Sequence, residues 1–100
     1  MLWAISRVAA PIFAELRDKH LQVHVDYLRS QKKILVVSGA TQSDDGKEFT
    51  GSLLIVNVGS RAEAQAFVDA DPCMKAGMVK DVTITRMRKG QWNPEAAEGA

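Results

Sequence analysis

The chain predicts a single α+β domain whose elements run strand, helix, strand, strand, helix, strand. Three features carry that expectation. Four short segments are rich in β-branched and aliphatic residues, two longer segments repeat apolar residues at helical spacing, and Gly, Pro and Asp punctuate the joins. One hundred residues suffice for one such domain and leave little for another.

Leu2 to Val8 is apolar, stops at Ala9-Ala10-Pro11, and reads as the first strand. Ile12, Leu16, Leu21, Val25 and Leu28 then recur at the spacing of one helical stripe. Pro11 suits the first turn of that helix, where no needed donor is lost. The helix is expected to reach Gln31, with Arg29, Lys32 and Lys33 near its negative end. Ile34 to Ser38 is the second strand, closed by Gly39. Thr41 to Lys47 is polar, and its Asp45-Gly46 pair is a hairpin signal. This connection exceeds a two-residue turn and is expected to be mobile. Ser52 to Val58 is the return strand. Ser60, with Glu63 three residues on, is a capping box that opens the second helix. That helix is expected to turn Ala62, Ala66, Phe67 and Ala70 toward the core. It ends at Asp71-Pro72, because proline drives the residue before it out of the helical region. Pro72 to Gly77 is a short turn and Val79 to Met87 the last strand. The domain is expected to span residues 1–90, leaving 91–100 as a C-terminal tail that frays.

If each helix crosses over on the same side of one sheet, the result is a ferredoxin-like βαββαβ domain with a four-stranded antiparallel sheet. Its strands are apolar on both faces: Ile34 and Val36 lie opposite Leu35 and Val37 in the alternation, and Leu53 and Ile55 opposite Leu54, Val56 and Val58. Two helices cover only one face. A second copy of the chain is the simplest cover for the other, which predicts an isologous homodimer.

Composition narrows the function classes. The net charge is +1 and no long basic run exists, so neither nucleic acid nor an anionic membrane is an expected partner. No apolar stretch approaches the roughly 20 residues of a membrane helix, and no basic region precedes the apolar start. A cytoplasmic location is expected. The single cysteine, Cys73, has no partner for an internal disulfide and reads as a buried or half-buried filler.

His20 and His24 are the only histidines and share one helix face. That spacing also occurs in metal sites. Here Leu21, Gln22 and Val23 intervene without a glutamate, and no third ligand follows by spacing, so neither metal nor cofactor is expected. Asp71 reads either as a turn former or as a partner for an imidazole, which a nearby carboxylate orients and makes more basic. Nothing in the spacing sets it beside His24. There is no glycine-rich phosphate loop and no nucleophile elbow. Trp3 and Trp92 read as core or dimer contacts.

Several stretches together resemble the YCII-like family. They are Arg17 with His24 and Val25-Asp26-Tyr27-Leu28, then Ser38-Gly39, Phe49-Thr50-Gly51-Ser52-Leu53 and Ala64-Gln65-Ala66-Phe67. Ala70-Asp71-Pro72-Cys73-Met74-Lys75-Ala76-Gly77 and Trp92-Asn93-Pro94-Glu95 complete the set. The resemblance implies a homodimer that closes into an α+β barrel. It also implies a pocket centred on a histidine–aspartate pair, matched here by His24 and Asp71 as catalytic residues. Arg17, Gly39 and Ser52, in the matching stretches, are the expected substrate-binding positions. Some relatives act on chlorinated or hydroxylated aromatics and on lactones. Ala40 and Cys73 depart from the family pattern near the pocket, so the substrate class is not carried over. The expected function is a small-molecule enzyme of lyase or isomerase type using a His–Asp acid–base pair. The alternative is a non-catalytic metabolite-binding or accessory dimeric module.

Overall fold

A computed structural model describes residues 1–100. Its elements are β1 (Leu2–Ala9), α1 (Phe13–Ser30), β2 (Leu35–Gln42), β3 (Phe49–Asn57), α2 (Arg61–Ala70), the one-turn α3 (Pro72–Lys75) and β4 (Val79–Met87). A 3-10 turn, Pro94–Ala97, follows outside the sheet. The sheet order is β2-β3-β1-β4 with every neighbour antiparallel, the ferredoxin-like arrangement.

The register decides which residues meet the helices. Ile5 stands between Leu54 and Ile84, and Arg7 between Ser52 and Val82. Side chains directly opposite share a face. Trp3, Ile5 and Arg7 therefore look the same way as Ser52, Leu54 and Val56. On that face α2 packs its Ala64, Phe67 and Val68 onto Trp3, Ile5, Leu54 and Val56 to form the core.

Four local expectations change. First, α2 buries Ala64, Phe67 and Val68, while Ala62, Ala66 and Ala70 are exposed. Phe67 and Val68 set the buried arc, because only large side chains gain much from burial. The cap itself is present: Ser60 accepts from the Glu63 N–H, and the Glu63 carboxylate accepts from the Gly59 N–H. Second, α1 begins at Phe13, because Pro11 and Ile12 form a turn closed by the Phe13 N–H on the Ala10 carbonyl at 2.9 Å. Third, β2 does not stop at Gly39. Gly39 pairs with Leu53 and Ala40 with Ser52, so cross-strand pairing carries the strand through the glycine to Gln42. The remaining loop is tied by its own hydrogen bonds: Ser43 N–H to Glu48 carbonyl at 2.9 Å and Gly46 N–H to Ser43 carbonyl at 2.8 Å. Gly46 has φ +71°, where a side chain would be strained. Fourth, Trp3 joins the core, but Trp92 is exposed in the tail.

The opposite sheet face bears Leu2, Ala4, Val8, Val37, Leu53 and Ile55 and receives neither helix. Leu53 is 48% exposed there, and Val8 and Val37 are similarly open. No helix is long and apolar enough to cross a membrane.

Candidate functional site

α1 has no buried residue. It is pinned near its two ends. Phe13 meets Phe49 edge-on with ring centres 6.4 Å apart. Tyr27 donates its hydroxyl to the Phe67 carbonyl at 2.6 Å. Between these anchors, helix and sheet enclose a cavity of about 240 Å³. Leu21, Val25, Leu28, Leu54 and Met78 supply apolar wall, and Arg7, Arg17, His20, His24, Ser38 and Ser52 supply polar groups.

At the inner end lies Asp71, 1% exposed. Pro72 holds Asp71 in extended backbone (φ −66°, ψ 127°), which ends α2 and turns the carboxylate back over α3. Its Oδ1 accepts the Cys73 N–H at 3.0 Å and lies 3.0 Å from His24 Nδ1. Its Oδ2 accepts from Arg7 Nη1 at 2.8 Å. Arg7 Nε donates to the Ser52 hydroxyl, also at 2.8 Å. The result is one connected line, Ser52–Arg7–Asp71–His24, joining β3, β1, the end of α2 and α1. No buried side-chain polar atom lacks a partner. Gly51 makes the line possible. A Cβ there would lie 1.9 Å from the Arg7 carbonyl oxygen, so only glycine lets β3 approach β1 beside this pair.

The electrostatics follow from this geometry. The Asp71 hydrogen bond, and then the Cys73 thiol, raise the His24 pKa from 6.5 to about 9, against burial, which lowers it. For Asp71, burial alone would push the pKa up. Hydrogen bonds from His24, the Cys73 N–H and Arg7 together outweigh burial and hold it at about 2. At neutral pH one carboxylate thus faces two cations. With Nδ1 engaged, Nε2 is the His24 nitrogen left for the cavity.

The structure brings His24 and Asp71 together across 47 residues. Ser52 lines the cavity and its hydroxyl accepts from Arg7 Nε. Gly39 lines it as well, in open space where a Cβ would meet nothing within 4 Å. Arg17 sits at the outer side of the cavity with its guanidinium 4.3 Å from the centre of the Phe49 ring. It does not join the Asp71 cluster. Sequence reasoning missed Arg7. The signal was the alternation Trp3, Ile5, Arg7, which sets an arginine at a core position, where a charge needs a carboxylate partner.

Cys73 is buried, and its thiol lies with the His24 ring and the Asp71 carboxylate inside a 4.8 Å cluster of metal-ligand types. His20 is not part of it. Both Asp71 oxygens already accept hydrogen bonds, and the Arg7 guanidinium at 2.8 Å repels a cation. The cluster is built as an ion-pair hub.

Comparison with known proteins adds to the geometry. The family model described as the YCII-related domain matches residues 1–88. Among solved structures, 5-chloro-2-hydroxyhydroquinone dehydrochlorinase (TftG) from Burkholderia phenoliruptrix AC1100, in complex with 2,5-dihydroxybenzoquinone, is similar. The match has a TM-score of 0.80 at 33% identity, covering 90% of this chain and 96% of that one. No curated protein matches the chain.

Proposed function

Because the chain belongs to the YCII-related domain family, we propose that it is a small-molecule enzyme of lyase or isomerase type, with His24 transferring protons and Asp71 orienting it. One observation carries the reading. His24 stands on a cavity wall with Nδ1 held 3.0 Å from a buried carboxylate, which leaves Nε2 as its nitrogen for a ligand. Asp71 accepts, so Nδ1 carries a hydrogen and the ring orientation is set. With its pKa near 9, the ring rests as an imidazolium at neutral pH. It therefore starts as a proton donor, or as a partner for a developing oxyanion, and becomes a base once it has donated. Ser52 and Gly39 give the opposite wall a hydroxyl and free space, and Arg17 orients the ligand from the outer side.

The similar dehydrochlorinase holds a dihydroxybenzoquinone. The cavity here, about 240 Å³, is just below the range of about 300–1,000 Å³ for ligand pockets and suits a single-ring compound. Chlorinated hydroquinones and small unsaturated lactones are the compounds to assay on wild type and His24→Gln. We expect turnover to fall by about 10²–10⁴-fold in the variant, with an unchanged circular dichroism spectrum. A fully active variant refutes the role of His24. A wild type that binds these compounds without product favours the non-catalytic binding module.

The apolar outer face supports a homodimer, closing two sheets into an α+β barrel. Leu53, Val8 and Val37 form an open patch on it, and a copy of the same patch related by a two-fold axis matches it in chemistry. Leu53→Asp is expected to sediment as a monomer beside a dimeric wild type. A monomeric wild type rules the assembly out.

A further inference from the structure

The cavity walls carry basic side chains and no acidic ones. Arg7, Arg17, His20 and His24 line them, and no Asp or Glu does. The chain as a whole is nearly neutral, with thirteen Lys and Arg against twelve Asp and Glu, so this segregation is local. At the inner end the single charge of Asp71 serves both Arg7 and His24. Asp71 is thus the one carboxylate shared by two basic side chains at this end.

The outer end repeats the sign independently. The carboxylate nearest to Arg17 is Asp18, at 3.6 Å, with its side chain 98% exposed. Such a contact is largely screened by water. The Arg17 guanidinium lies over the Phe49 ring, which restrains its position and leaves the N–H donors at its edge to reach a ligand.

Spacing links the two ends. Arg17, His20 and His24 stand at i, i+3 and i+7, one face of α1. Seven residues of helix separate Arg17 from His24 by about 10.5 Å. Leu21 and Val25 run beside that stripe and add apolar wall between Arg17 and His24. This span fits one six-membered ring with a hydrogen-bonded acidic group at each end.

We propose that the ligand of this cavity is a single-ring dianion, with one anionic group at His24 and Arg7 and the other at Arg17. The inference rests on the acid–base reading above only in making the His24 end the reacting end.

Calorimetric titration of the full chain at neutral pH tests the proposal. The probes are benzene-1,4-dicarboxylate, benzoate and neutral benzamide, and the proteins are wild type and Arg17→Gln. In the wild type the dicarboxylate is expected to bind roughly tenfold more tightly than benzoate, the worth of one added charged hydrogen bond. Benzamide is expected to bind least. Arg17→Gln should erase the advantage of the dicarboxylate and leave benzoate nearly unchanged. The proposal fails if benzamide binds as well as the anions, if the advantage survives in Arg17→Gln, or if the dicarboxylate shows no saturable binding. These readouts do not depend on turnover. Charge preference without any catalysis defeats only the enzyme reading, and turnover of neutral compounds with charge-blind binding defeats only this one.

Discussion

The two long helices cover the same sheet face and use it in opposite ways. α2 presses Ala64, Phe67 and Val68 directly onto the strands, none of them more than 5% exposed. α1 is longer, at 18 residues, and buries none. The cause lies in the stripe each turns toward the sheet. That of α2 is wholly apolar and docks without penalty. That of α1 interleaves Arg17, His20 and His24 with Leu21, Val25 and Leu28, and polar heads pressed on an apolar sheet lose hydration without recompense. α1 is instead carried across a cavity on two supports, Phe13 against Phe49 and Tyr27 against Phe67. One half of the face makes the core, and the other half makes the site. The core half also holds the site in place, since Asp71 closes α2 and Arg7 follows Ile5 along β1. A site fixed by packed elements keeps its geometry better than one built on loops.

This division of labour is open to direct attack with a pair of truncations. Phe67→Ala opens a hole in the core and removes the ring that Tyr27 packs on, so it is expected to cost about 3–5 kcal/mol. Leu21→Ala removes a side chain that is 39% exposed and already borders empty space. Its expected cost is below roughly 1 kcal/mol. Urea unfolding of both variants measures the contrast. Equal losses would mean that α1 packs as core in solution and that the cavity is not standing open.

The same contrast governs what the sequence discloses. The chain order of the elements and the hairpin were legible because period, turn residues and caps are local signals. The alternation within β1 and the Ser60–Glu63 cap belong to this class. The face of α2 was misread because alanine is small enough to sit on either side, so Ala62, Ala66 and Ala70 said little about direction. The break expected at Gly39 gave way to pairing with Leu53, a tertiary effect. In the site, the helical spacing of Arg17, His20 and His24 was visible, but the contact of His24 with Asp71 spans 47 residues and is made by the fold. Only family resemblance paired them beforehand. Arg7 was legible in principle. Its place in the Trp3, Ile5, Arg7 alternation marked a buried cation, and a buried cation implies a carboxylate to be found.

A finer probe of the boundary is pH, because the site half is charged and the core half is not. His24 has a folded pKa of about 9, above its ordinary 6.5. Its contribution to stability is complete below pH 6.5 and is lost as pH rises through about 9. Asp71 has a folded pKa of about 2, below its ordinary 3.8. Its contribution is complete above pH 3.8 and is lost as pH falls through about 2. Stability from this cluster is therefore flat between pH 3.8 and 6.5 and declines on either side. Both limbs draw on the same His24–Asp71 contact, so they do not add. The alkaline limb amounts to roughly 2 kcal/mol, discounted from the full shift because the His24 side chain retains some exposure. Other groups also titrate over this range, so the useful quantity is a difference. Urea unfolding at pH 5.5 and pH 9.5 is expected to show the wild type losing about that amount, and Asp71→Asn, though less stable throughout, losing little between the two. If the variant keeps the full slope, the alkaline loss arises elsewhere.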